Sequence, residues 1–219
     1  GLAVGCSPEI TIPAGTEAPS WLRWGGVGFE DWEDGVPELP PAAGGDPSDG
    51  LAEVQRVRQF FPETWVWQPL LLTDDEGLAT LTLTCPDSIT TWHLRGLASS
   101  MEGIALAETD ITVFQEFFVE PDLPVEVVRG ETFPLRLQIY NYAQAAQRIY
   151  VELARDDWFE LAGESTASVD VGPGEVTSCT MPITPVRAGK FTLAISARGP
   201  LYADAVTREI SVVPEGVPF

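Results

Sequence analysis

"ETFPLRLQIYNY", Glu131 to Tyr142, decides how the rest of the chain is read. Phe133, Leu135, Leu137 and Ile139 fall on one side of a period of two, with Arg136 and Gln138 opposite. That is the pattern of a half-buried strand, and it fits no helical period. The stretches that follow repeat it. "QRIYVELARDD" continues through Ile149, Val151 and Leu153, and "GKFTLAISARG" through Phe191, Leu193, Ile195 and Ala197. "SVDVGPGEVTSCTMPITPV" reads as strand, Gly-Pro-Gly turn and strand, and "DAVTREISVVPEG" closes the series with Val206, Ile210 and Val212 in phase. About seven strands over roughly a hundred residues, punctuated every 8 to 12, predict a two-sheet sandwich. A dozen such side chains, each worth about 1.5–3 kcal/mol on burial, would support an independently folding unit.

Upstream the same period holds with less material. "TWVWQPLLL" (Thr64–Leu72) is read as a strand interrupted by Pro69, which suits an edge or a bulge. "DDEG" (74–77) is a turn, and Asp74, Asp75 and Glu76 make an ordinary hairpin tip. "LATLTLTC" alternates Leu78, Thr80 and Thr82 against Ala79, Leu81, Leu83 and Cys85. "ITTWHLRGLASS" alternates Ile89, Thr91, His93 and Arg95 against Thr90, Trp92, Leu94 and Gly96. With the strand in "IALAETDITVFQEFFVEPDL", about four strands occupy the first module, too few for two sheets without unpaired edges. The missing strands are expected from chain preceding Gly1, and the start "GLAVGCSPEI" reads as an interior boundary, not a signal peptide.

Residues 1 to about 55 differ from everything after them. "PAGTEAPS" and "DGVPELPPAAGGDPSDG" are dense in Pro, Gly, Asp and Glu, so burial there cannot offset the entropy of ordering. Between them Trp21, Trp24, Phe29 and Trp32 are expected to pack locally. The expected organisation is an irregular arm over 1–55, a partial sandwich over 56–115, a complete sandwich over 116–214 and a linker over 215–219.

Charge excludes partners. The 219-residue chain has 33 acidic against 12 basic residues, a net charge of −21, which repels nucleic acid and anionic membrane surfaces. No run of about 18 apolar residues predicts a transmembrane segment. Cys6, Cys85 and Cys179 include no C-x-x-C pair and His93 is the single histidine, so no zinc-site pattern is present; Cys85 and Cys179 read as small buried hydrophobes. Glu30, Asp31, Glu33 and Asp34 lack the spacing of a calcium loop and read as a solvated charge run. His93 has no nucleophile in a recognisable elbow, and neither a phosphate loop nor any other cofactor pattern is present. Glu63 and the Trp65/Trp67 pair read as packing at the entry to the sandwich. No catalytic residue is assigned, and the chain is not read as an enzyme.

Six phrases then occur in order: "FPETWVW" (61–67), "PDSITTW" (86–92), "VFQEFFVE" (113–120), "LPVEVVRGE" (123–131), "YNY" (140–142) and "VVPEG" (212–216). Together they resemble the alpha-2-macroglobulin and complement thioester-protein family. The resemblance implies tandem fibronectin type III-like macroglobulin sandwiches, with 56–115 as the second half of the sixth and 116–214 as the seventh. It also implies that the segment before Phe61 corresponds to the protease bait region. Leu22, Arg23, Phe29 and Leu39 are the candidate cleavage positions, Arg23 for a trypsin-like enzyme. An exposed Pro/Gly-rich arm suits this independently, because proteases take substrates as extended strands. The family's thioester motif, Cys-Gly-Glu-Gln, is absent from this chain.

The implied function is broad-spectrum endopeptidase inhibition, in which a cut in the bait triggers a rearrangement that traps the protease. The implied partners are proteases and other macroglobulin domains of the same protein. Inhibitors of this type meet proteases outside the cytosol, and the few cysteines suit a secreted or bacterial envelope form. Two alternatives stand beside this reading: a complement-type opsonin that tags surfaces, and a purely structural or adhesive sandwich module.

Overall fold

A computed structural model describes residues 9–13, as backbone, and residues 50–216. Every regular element among them is a strand: β1 (Glu9–Pro13), β2 (Val57–Arg58), β3 (Leu78–Thr82), β4 (Thr91–Ser99), β5 (Ile104–Thr112), β6 (Phe117–Asp122), β7 (Glu126–Val128), β8 (Phe133–Asn141), β9 (Gln147–Leu153), β10 (Phe159–Leu161), β11 (Thr166–Val171), β12 (Glu175–Pro185), β13 (Gly189–Arg198) and β14 (Ala203–Val213). No helix among the described residues is long and apolar enough to cross a membrane.

The second module is the predicted sandwich. One sheet runs β10-β12-β8-β6; the other runs β11-β9-β13-β14, with β7 and β2 both pairing parallel to β14 near its two ends. Period-two side chains from both sheets meet between them. Leu135, Leu137 and Ile139 of β8 face Ile149, Val151 and Leu153 of β9, and Leu193, Ile195 and Ala197 of β13 complete the layer. These are the residues the alternation selected, and each lost its exposure because the pleat sends alternate side chains to one face. Nine strands span residues 117–213, not seven, since the short β7 and β10 carry little periodic signal. The Gly172–Gly174 turn needs its last glycine: Gly174 has a φ of +66°, in the left-handed region.

One end of this core is polar and satisfied. Buried Asn141 donates through Nδ2 to the carbonyls of Ala145 and Gly172, at 2.8 and 2.9 Å, and Gln147 donates to its Oδ1. Cys179 packs at the core's margin as a free thiol, and burial pushes its pKa up. It therefore stays protonated at neutral pH, and only thiolate alkylates. Iodoacetamide at pH 7.5 should label Cys179 slowly in the folded chain and fast in urea, as read by peptide mass spectrometry; equal rates would contradict the packing.

The first module is thinner than its alternation suggests. β3 pairs with β1, β4 pairs with β5, and β2 leaves to join the second module's sheet. The strand expected over Thr64–Leu72 is irregular in the structure, because no described segment offers it a ladder; Trp67, Leu70 and Leu72 are exposed. Trp65 does pack as expected, 5.8 Å from Trp92, with its Nε1 donating to Thr84. Trp67 does not. Asp74 caps a turn leading into β3, accepting from the amides of Glu76 and Leu78, and the residues before that turn are irregular instead of the first arm of a hairpin. β1 itself lies within the stretch read as a largely irregular arm, and pairs Glu9–Pro13 with Thr82–Leu78.

Candidate functional site

Leu22, Arg23, Phe29 and Leu39, the candidate cleavage positions, lie outside the described residues, as do Cys6, the tryptophans at 21, 24 and 32, and the acidic run 30–34. The described chain resumes at Gly50, and what happens there is specific. The amide of Ala52 donates to the carbonyl of Gly199 at 2.8 Å, and β2 then aligns Val57 and Arg58 with Ala205 and Val206 of β14.

Arg58 enters the junction between the modules and is only 5% exposed. Its Nε donates to Asp204 at 3.1 Å and its Nη2 to Asp204 Oδ2 at 2.9 Å, a two-pronged pair that matches a guanidinium fork to a carboxylate. Nη2 also donates to the carbonyl of Val119 at 2.6 Å, and Nη1 reaches the carbonyl of Asp87 and Glu120 Oε2 at 3.4 and 3.5 Å. Asp204, 2% exposed, accepts in addition from the amide of Val119 at 2.9 Å.

A second buried carboxylate ties in the first module. Asp87 accepts from the amides of Gln59 and Phe60 at 2.9 and 2.8 Å and pairs with Arg56 at 2.6 Å. Arg208 pairs with Glu120 and lies over the ring of Phe61, 3.3 Å from its centroid. Three arginines (56, 58 and 208) thus meet three carboxylates (87, 120 and 204) in a locally neutral cluster, within a chain that is strongly acidic overall. Burying Arg58, Asp87 or Asp204 alone would cost several kcal/mol; paired and hydrogen-bonded, they fix the geometry of the junction. The cluster's chemistry is that of a clasp: guanidinium donors hold carboxylates drawn from both modules.

His93 sits where the alternation placed it, on an exposed face of the β4–β5 ribbon. Its Nδ1 lies 2.5 Å from Asp110, in a ladder with Thr91–Thr112 and Arg95–Glu108. Arg58 was not singled out from the sequence. Its signal lay in β14, where Asp204 shares the phase of Val206, Ile210 and Val212: a carboxylate on the apolar phase demands a buried cation.

Residues 64–153 match the model of the alpha-2-macroglobulin family. Solved alpha-2-macroglobulin structures share the fold. A trypsin-activated alpha-2-macroglobulin from Escherichia coli is 23% identical, with a TM-score of 0.55 over 65% of this chain and 10% of that one. A Salmonella alpha-2-macroglobulin reacted with methylamine is 20% identical, with a TM-score of 0.52 over 65% of this chain and 10% of its own. The native conformation of the E. coli protein gives 21% and 0.52, over 65% of this chain and 9% of its own. The chain thus spans about a tenth of the length of the alpha-2-macroglobulins it matches.

Proposed function

We propose that this chain is part of an alpha-2-macroglobulin-like broad-spectrum endopeptidase inhibitor, not an enzyme, acting on proteases outside the cytosol or in a bacterial envelope. In this reading the arm over 1–55 holds the bait, 56–115 complete a macroglobulin sandwich with chain from elsewhere in the protein, and 116–214 form the next one. The family match over 64–153 is the observation that carries it. The Pro/Gly-dense composition of 14–49 and the way its two ends are held support it: β1 lies on β3 of the first module, while β2 and Arg58 lie on the second. A cut between those ends removes one of the covalent links between two bodies and leaves each end seated. Leu22, Arg23, Phe29 and Leu39 are its proposed cleavage positions.

The test uses the full-length protein, treated with trypsin-like, chymotrypsin-like and elastase-like proteases. The first cut, located by mass spectrometry, is expected within 14–49. The products should co-elute natively, and the protease should keep activity on small substrates while losing access to large ones. A first cut elsewhere, or a cut in the arm with no loss of access, rejects the inhibitor reading. Deposition of the cut protein on surfaces without entrapment would instead favour an opsonin.

A further inference from the structure

Residues 50–61 precede the stretch that matches the family, and they lie on the second sandwich as an added strap. Of their side chains Arg58 alone is buried; Phe61 is half-buried against the core, and Arg56, Val57, Gln59 and Phe60 are exposed. The ladder to β14 is parallel and two residues long. One anchoring side chain, a short run of backbone bonds and a second aromatic contact are the means by which a bound peptide is held. The receptor is organised by groups outside the strap. Asp204 on β14 accepts from the amide of Val119 on β6 at 2.9 Å, and Gln115 donates to its other oxygen at 3.4 Å. β14 and β6 belong to different sheets, so this carboxylate sits in the seam between them. β6 is the edge of its sheet, and beside the carboxylate the carbonyl of Val119 accepts from Arg58 Nη2 at 2.6 Å.

We propose that this seam is a peptide-binding site, selective for an extended strand with arginine three residues before an aromatic ring, and that residues 52–61 are its own ligand. A buried carboxylate demands a cation, because an unpaired charge there is costly. Geometry selects among cations. Asp204 receives Nε and Nη2 side by side while Nη2 also reaches the carbonyl of Val119, a pattern that needs the planar fork of a guanidinium and that an ammonium does not reproduce. Spacing selects the strand. Three residues after Arg58, the ring of Phe61 lies under the guanidinium of Arg208, also on β14. Asp87 closes over the seated strand by accepting from the amides of Gln59 and Phe60. The downstream end of the arm is therefore held by a contact that can release and return, and its tether, equivalent to a roughly millimolar concentration, keeps the site filled. The site stands apart from the inhibitor reading, and no protease enters its test.

The test titrates the full 219-residue chain carrying Arg58→Ala, whose own strap has lost its anchor, into a fluorescein-labelled peptide of residues 50–62, followed by anisotropy. Saturable binding is expected, and the urea midpoint of that chain should rise with peptide concentration. Peptides carrying Arg58→Lys or Arg58→Ala should bind about tenfold or more weakly, as for loss of a central anchor. The wild-type chain should also bind the unaltered peptide about tenfold or more weakly, because its tethered strap competes. Adding Asp204→Leu to the Arg58→Ala chain should abolish binding. If the far-UV spectrum shows that the Arg58→Ala chain is unfolded, an Arg58→Lys chain replaces it, since that keeps a cation beside Asp204 and lacks only the fork; the same outcomes are expected. No saturation at millimolar peptide overturns the proposal, as does binding indifferent to Asp204→Leu. Equal binding by the Arg58→Lys peptide, which carries the same charge, would mean attraction by the acidic surface alone and likewise overturns it.

Discussion

Replacing Arg58 with alanine is expected to lower the unfolding free energy by about 3–5 kcal/mol, the range for removing one member of a buried ion pair. The size follows from what is left behind. Asp204 would keep the amide of Val119 and a long contact from Gln115, but no charge to balance its own in a site almost sealed from water. The carbonyl of Val119 would lose its Arg58 donor. The exposed pair Arg148–Asp170 has equally good distances, yet solvent screens it, and Arg148→Ala should be nearly silent. Urea unfolding followed by tryptophan fluorescence separates the two. The double change Arg58→Met with Asp204→Leu should recover most of the loss, since an apolar pair of similar volume replaces the charges without leaving one orphaned. A loss below about 1 kcal/mol in Arg58→Ala, the scale of an exposed pair, would mean that the junction is open to water and that the clasp does not hold it.

The contrast between what the residues announced and what they concealed has a physical basis. Periodicity reports burial of one face against a partner already present in the chain. It therefore identified β8, β9, β13 and β14, whose inward positions all meet in a closed core. It misread Thr64–Leu72, because an alternating apolar run describes a strand only if another strand is there to pair with it, and none is described beside this one. The clasp was hidden for a different reason. Arg56, Arg58, Asp87 and Glu120 lie in short or irregular segments where no period can be read, and their pairings span sequence distances as large as the 146 residues from Arg58 to Asp204. Asp204 and Arg208, charged residues in the apolar phase of β14, carried a local sign of it. Composition gave no sign of β1 within the leading stretch, because that strand depends on pairing with Leu78–Thr82, a contact that local sequence does not encode.

Tryptophans make the same point with a measurable consequence. Trp158 and Trp67 have the same side chain, but the first is fully buried and the second 83% exposed. Trp158 stacks on Phe191 at 5.2 Å and meets Phe159 edge-on at 4.6 Å, at one end of the sandwich where β10 closes the sheet. Trp158→Ala should cost about 3–5 kcal/mol, because the surrounding strands cannot collapse into the space left by an indole. Trp158→Phe should cost distinctly less. It preserves most of the ring contact, and it removes an indole N–H that is buried without a hydrogen-bond partner, a group whose burial carries a penalty of about 1–3 kcal/mol. Trp67→Ala should leave the urea midpoint of the chain unchanged. If instead Trp67→Ala destabilised the protein as much as Trp158→Ala, residues 64–72 would have to be packed against something, and the irregular, exposed course of that segment would be wrong.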